Sequence, residues 1–296
     1  MFALAAALGF GGHIGLSRIQ GWLESAVPDW LSASGALTDP YRSSTDIGHI
    51  GELKQSDRIL LRVTTDGKLK PPILLHRASY DSYGAGGWTA RNGTFTVVDA
   101  RPDATTWRLG SGQPAAVLTV HDYTPLPNPV LSLPAGALRI ELPAAGEVKH
   151  NPLGTVQAGN RPGFFSYRVQ YDPAGALDAP PTESDRIVPL AEQKVFARLA
   201  ATLVSDQPGP EQALEKVKTY FAGNFQYATY RKPTSVAQTP LADFLLNTRA
   251  GHCEYFASAT VLLLRAAGIP ARYATGFSTK EFSALENAYL VRERHA

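Results

Sequence analysis

Between about Tyr41 and Tyr171 apolar residues recur at every second position in short runs. Ile59, Leu61 and Val63 stand against Leu60, Arg62 and Thr64, and Tyr167, Val169 and Tyr171 against Arg168 and Gln170. That period is a strand's, and it predicts an antiparallel sandwich or small barrel. Turn residues punctuate the runs at Asp66-Gly67, Gly84 to Gly87, Asn92-Gly93, Pro125 to Pro129 and Asn160 to Gly163.

A stretch rich in Pro, Ala, Gly and Asp, Pro173 to Pro181, reads as a linker, and beyond it the period lengthens to a helix's. Val195, Leu199 and Leu203 mark one helix. Leu214, Val217 and Phe221 mark a second, with Pro210 inside its start and Gly223 past its end. Thr239-Pro240 opens a third, carrying Leu241, Phe244 and Leu245. The fourth shows Phe256, Ala259, Thr260, Leu263 and Ala267 at helical steps before the stop Gly268-Ile269-Pro270. Strands are expected at Arg272 to Phe277 and Ala288 to Ala296. The organisation anticipated is an apolar and amphipathic segment at 1–35, a β-rich domain at 36–175 and an α+β domain at 176–296.

Composition narrows the function classes. The chain has 296 residues, 44% hydrophobic and 18% charged, as a globular protein should. A net charge of +2, with no dense Lys/Arg run, gives no footprint for nucleic acid. A single cysteine forms no intrachain disulfide and leaves the redox compartment undetermined.

That cysteine, Cys253, falls where a glycine turn runs into the fourth helix. Helix-start N–H groups and the positive dipole end stabilise a thiolate, and they also hold an oxyanion on an attacked carbonyl. The competing account is a buried structural thiol. His252, Cys253 and Glu254 are contiguous and cannot wrap a tetrahedral ion, so no metal and no cofactor is expected. His49, His76, His121 and His150 lie among the predicted strands and loops, where structural or surface roles are the expectation. His252 projects about a hundred degrees from Cys253 and is a poor base for it.

The stretches Phe244 to Ala257 (FLLNTRAGHCEYFA) and Arg265 to Arg272 (RAAGIPAR) resemble the bacterial transglutaminase-like superfamily, whose catalytic logic is papain-like. The passages Ser44 to Ser56 and Arg77 to Trp88 are similar, more loosely, to the β-rich region of its membrane-anchored branch. The resemblance implies a β-sandwich-like domain followed by a papain-like core, with Cys253 as nucleophile, a histidine as base and an aspartate to orient it. Where the family carries Ala-His-Ala-Trp, this sequence reads Arg292-Glu293-Arg294-His295-Ala296. Either His295 is the base, or Ala296 is the alanine before it and the base is the next residue. On the expected strand, both positions share a face. No aspartate follows Cys253, so the sequence as it stands is expected to turn over poorly.

The implied activity is thiol-dependent acyl transfer on protein or peptide amides, by cross-linking or hydrolysis. The alternatives are a cysteine peptidase or amidase acting on the cell envelope, and a degenerate binding or scaffold module. Residues 2–16 are apolar apart from His13, and Ile19, Trp22, Leu23, Ala26, Val27, Trp30 and Leu31 form an amphipathic stripe. Together with the resemblance they lead us to expect an extracytoplasmic domain anchored to a membrane.

Overall fold

The computed structural model describes residues 57–67, 71–103, 105–124, 129–143, 146–159, 163–204, 209–228 and 239–294, with the backbone alone at 44–46 and 295. The 1–35 segment, with its Trp22 and Trp30, lies outside the described residues. Among those described, no helix is long and apolar enough to cross a membrane.

The first half of the chain forms strands β1 (Ser44–Asp46), β2 (Ile59–Thr65), β3 (Ile73–Tyr80), β4 (Ser82–Gly84), β5 (Gly87–Thr89), β6 (Thr96–Val97), β7 (Thr106–Arg108), β8 (Ala116–Asp122), β9 (Leu133–Pro134), β10 (Ala137–Glu141), β11 (Val148–His150), β12 (Val156–Ala158) and β13 (Phe165–Tyr171). Helices α1 (Leu190–Leu203) and α2 (Pro210–Asn224) follow, then the short β14 (Gln226–Tyr227). Next come α3 (Pro240–Asp243), which runs on into a π-turn over Phe244–Thr248, and β15 (Ala250–Gly251). Helix α4 (Cys253–Ala266) leads to β16 (Tyr273–Thr279), β17 (Glu281–Ser283), β18 (Ala288–Arg292) and a last 3-10 turn, Glu293–His295.

The main sheet has seven strands in the order β17-β18-β2-β8-β13-β10-β7, and a second sheet has the order β16-β3-β9. Strands from the two ends of the sequence therefore share sheets, although linker composition had placed a boundary near residue 176. One apolar core fills the sandwich, with Leu61, Val63, Leu118, Val120, Ile140, Val169, Phe277 and Val291 in it. A second lies among the helices and takes in Phe196, Val217, Phe221, Phe244, Ala259 and Leu262.

The pair β3–β16 serves both cores. Ile73 and Leu75 enter the first, and Ala78 and Tyr80 the second. Strict alternation would put these two sets on opposite faces of the strand. The register shifts where Thr275 pairs Ala78 and Gly276 pairs His76, and Arg77 is the extra residue that restores the face. Gly276 is needed at that bulge, since a Cβ there would stand 2.0 Å from the Leu75 carbonyl oxygen.

Trp88, wholly buried at the end of the β4–β5 hairpin, joins the β-rich half to α4. Its Nε1–H donates to Ser258 Oγ at 2.9 Å, its ring stacks on Tyr273 at 5.2 Å, and the Arg265 guanidinium lies over it. Arg272 ties down the linker. It bonds both carboxylate oxygens of Asp185 (3.0 and 2.8 Å), Asp178 (2.8 Å) and the carbonyls of Ala179 and Pro180.

The helices form where their periodic residues mark them, and the end of the last strand needs correction. In α1, the helix that Val195, Leu199 and Leu203 mark, the fully buried apolar side chains are Phe196 and Ala200, with those three packed partly buried against the same core. Helix α4 has no single apolar stripe, because it is covered on several sides: Tyr255, Ser258, Leu262 and Arg265 are buried as fully as Ala259 and Leu263. The last strand ends at Arg292 and not at Ala296. A register shift falls between Val291 and Arg292, whose guanidinium is held by Glu281 and by the Asp57 carbonyl, and the chain turns there. The shared face anticipated for Val291, Glu293 and His295 is lost with that turn.

Candidate active site

The site is built around one change of direction. Arg249 adopts a left-handed backbone (φ 47°) after the π-turn and directs the chain into β15. β15 pairs in parallel with β14, Gln226 opposite Ala250 and Tyr227 opposite Gly251. The Gln226 N–H donates to the Arg249 carbonyl and the Ala228 N–H to that of Gly251, both at 2.9 Å. Gly251 packs under two rings, where a Cβ would lie 3.1 Å from Tyr255 and 3.2 Å from Phe244. His252 is the extended N-cap residue, and Cys253 is the first residue of α4.

Cys253 is partly exposed, whereas its neighbours His252 and Glu254 are buried. His252 packs edge-on to the Tyr255 ring at 4.9 Å, with Nδ1 3.6 Å from Glu254 Oε2. Its carbonyl accepts the first helical bonds, from the N–H groups of Tyr255 (3.1 Å) and Phe256 (3.5 Å). The N–H groups of Cys253 and Glu254 precede that ladder, at the positive end of the helix.

Two phenols face the cysteine. The Tyr227 hydroxyl is hydrogen-bonded to both the Cys253 side chain and its backbone N–H; burial and the facing sulfur raise its pKa. Tyr273 lies behind, buried, its pKa pushed well above the ordinary tyrosine value by burial and then by Glu254 and Cys253. Both hydroxyls therefore stay protonated near neutrality and act as hydrogen-bond donors.

Sequence reasoning missed Tyr227. The available signal was an aromatic residue three positions past the end of α2, in Phe225-Gln226-Tyr227.

His295 lies in the final turn, after β18 and beside β16. Its side chain is outside the described residues. The remaining described histidines serve other ends. His76 bonds Ser79 Oγ (2.8 Å) and His121 bonds Ser166 Oγ (2.7 Å), while His150 is partly buried on β11. Among the described residues no group of three or more His, Cys, Asp or Glu is placed to hold a metal ion. A cavity of about 340 Å³ opens between β3–β16 and the linker, lined by His76, Ser79, Asp178, Asp185 and Arg272, and Cys253 takes no part in it.

A partly exposed thiol at a helix start, beside backbone N–H groups at the positive end of the helix, is the arrangement that cysteine acyl-transfer chemistry uses. Residues 197–296 match the family model of the transglutaminase-like superfamily. Over a wider span the fold is that of the periplasmic domain of TgpA from Pseudomonas aeruginosa. Two crystal structures of that domain, one bound to ethylmercury, superpose with TM-scores of 0.66 and 0.67 at 23% identity. They cover 86% of this chain and 88% and 86% of theirs.

Among curated relatives, the uncharacterized protein YebA of Bacillus subtilis is 34% identical over 110 residues, which is 36% of this chain and 15% of that protein. A protein-glutamine gamma-glutamyltransferase of Pseudomonas aeruginosa is 39% identical over 67 residues, 23% of this chain and 10% of that protein. The matches thus span only a small part of either relative's length.

Proposed function

We propose that the protein transfers acyl groups through Cys253, attacking the carbonyl of a glutamine or other amide on a protein or peptide and passing the acyl group to an amine or to water. The observation that carries this reading is Cys253 at the first position of α4, partly exposed between the helix N–H groups and the Tyr227 hydroxyl. The thiolate adds to the carbonyl carbon, and the Cys253 N–H receives the developing oxyanion. A histidine takes the thiol proton and returns it to the leaving amine, and His295 is the candidate for it in this sequence.

The gamma-glutamyltransferase relative supports amine as acceptor. Water as acceptor would make the protein an amidase or peptidase of the cell envelope. The likeness to a periplasmic domain supports an extracytoplasmic location, and the amphipathic stripe at 19–31 supports attachment to a membrane.

The test is incorporation of a fluorescent amine into a glutamine-containing peptide, with ammonia release measured in parallel. Cys253→Ala should abolish both while moving the melting temperature by no more than about 2 °C, since the side chain is partly exposed. His295→Ala should lower both by about 10²-fold or more. Full turnover by Cys253→Ala would refute the thiol mechanism, and full turnover by His295→Ala would move the base elsewhere.

A further inference from the structure

Tyr227 is not among the residues that the resemblance marks, yet its hydroxyl is the polar group set directly against the nucleophile. Its position is fixed by backbone bonds. The β14–β15 pairing places Tyr227 beside Gly251, two residues before Cys253, with the Ala228 N–H locked to the Gly251 carbonyl at 2.9 Å. Tyr227 is 57% exposed and belongs to neither apolar core, so a movement of its side chain disturbs neither. One phenol offers one donor and two acceptor sites. At rest it accepts from the Cys253 N–H and donates to the sulfur, and so it occupies the place that an incoming carbonyl oxygen must take.

We propose that Tyr227 is a catalytic residue of this site: its hydroxyl gives up the Cys253 N–H when a carbonyl oxygen arrives and donates its own hydrogen bond to that oxygen as it becomes an oxyanion. The inference rests on the acyl-transfer reading of Cys253. In the step concerned the thiolate forms a C–S bond, and the carbonyl π pair moves onto oxygen. The oxyanion then collapses, expelling the amine, which leaves with a proton from the histidine, and a thioester remains on Cys253. Tyr227 transfers no proton. It supplies a second donor beside the Cys253 N–H, and its phenol, like an ordinary tyrosine's, is protonated throughout the neutral range. A hydroxyl that serves only as a resting cap on the cysteine makes the opposite prediction, because removing it would speed every reaction of the thiol.

The experiment compares full-length wild type, Tyr227→Phe and Cys253→Ala in two reactions. One is acylation by p-nitrophenyl acetate, which passes through an oxyanion. The other is alkylation by iodoacetamide, which does not. Both are followed to their high-pH plateaus, so that a change in thiol ionisation is separated from a change in rate. Tyr227→Phe should lower the acylation plateau by roughly 10²-fold, the usual cost of one oxyanion donor, and leave the alkylation plateau within about threefold of wild type. An unchanged or faster acylation plateau in Tyr227→Phe would overturn the role of Tyr227 alone. Acylation that persists in Cys253→Ala would overturn the cysteine reading beneath it.

Discussion

Trp88 and Ser258 are 170 residues apart and share one hydrogen bond in the interior: the indole N–H meets Ser258 Oγ at 2.9 Å, and both side chains are fully buried. Replacing Ser258 by Ala leaves the indole N–H without a partner, at a cost of about 1–3 kcal/mol. Trp88→Phe removes the donor and part of the ring that stacks on Tyr273 and lies under Arg265, at roughly 2–3 kcal/mol. In the double variant no polar atom of the pair is stranded, so its loss should fall short of the sum by about 1–2 kcal/mol. Urea unfolding followed by far-UV circular dichroism reads the three values. Thermal midpoints give a second reading at about 2–4 °C for each 1 kcal/mol. Additivity within about 0.5 kcal/mol would show that the bond contributes nothing to holding the β4–β5 hairpin on α4 and would refute the argument.

Two further outcomes follow from the β3–β16 pair. Burial lowers the pKa of His76 to about 4, with Asp178 opposing, whereas the unfolded chain protonates it near pH 6.5. The unfolded state then binds the extra proton between these values, and stability falls as the pH drops through that window, by at most about 1.4 kcal/mol per unit. His76→Gln should flatten the dependence between about pH 6.5 and 4 in urea titrations, and an unaltered slope would show that another group governs it. Gly276→Ala forces a Cβ to within 2.0 Å of the Leu75 carbonyl oxygen and should cost roughly 3 kcal/mol or more. A melting point within a few degrees of wild type would show that the bulge relaxes around the methyl group.

What the sequence made legible was local. Cys253 at a helix start followed from the glycine before it, the periodic residues after it and the Gly268-Ile269-Pro270 stop, and the structure begins α4 at that residue. Period-two runs such as Ile59 to Thr64 and Phe165 to Tyr171 became the strands they announced. Tyr227 escaped because two residues, Gln226 and Tyr227, make too short a strand to leave a pattern, and their partners stand 24 positions away. The apolar periodicity located α1 and α4 but carries no full list of their buried residues, because it assumes one wet side, and α4 is covered by helices and by the Trp88–Tyr273 stack. The end of β18 depended on Glu281 and Asp57 capturing Arg292, a side-chain event invisible to strand propensity.

The sharing of sheets by the two ends of the chain separates two lengths that are easily confused. The stretch matching the superfamily begins at residue 197, but β16 owes its hydrogen-bonded neighbour to residues 73–80 and β18 owes one of its two to residues 59–65. Excised at the family limits, the matched segment would carry two open strand edges, most of the helical core and only Phe277 and Val291 of the buried sandwich core, which is a description of an aggregating fragment. The unit that can be inherited, transplanted or expressed with its cysteine in place is therefore the β-rich region and the signature together, and the former belongs to the fold's architecture as much as the latter.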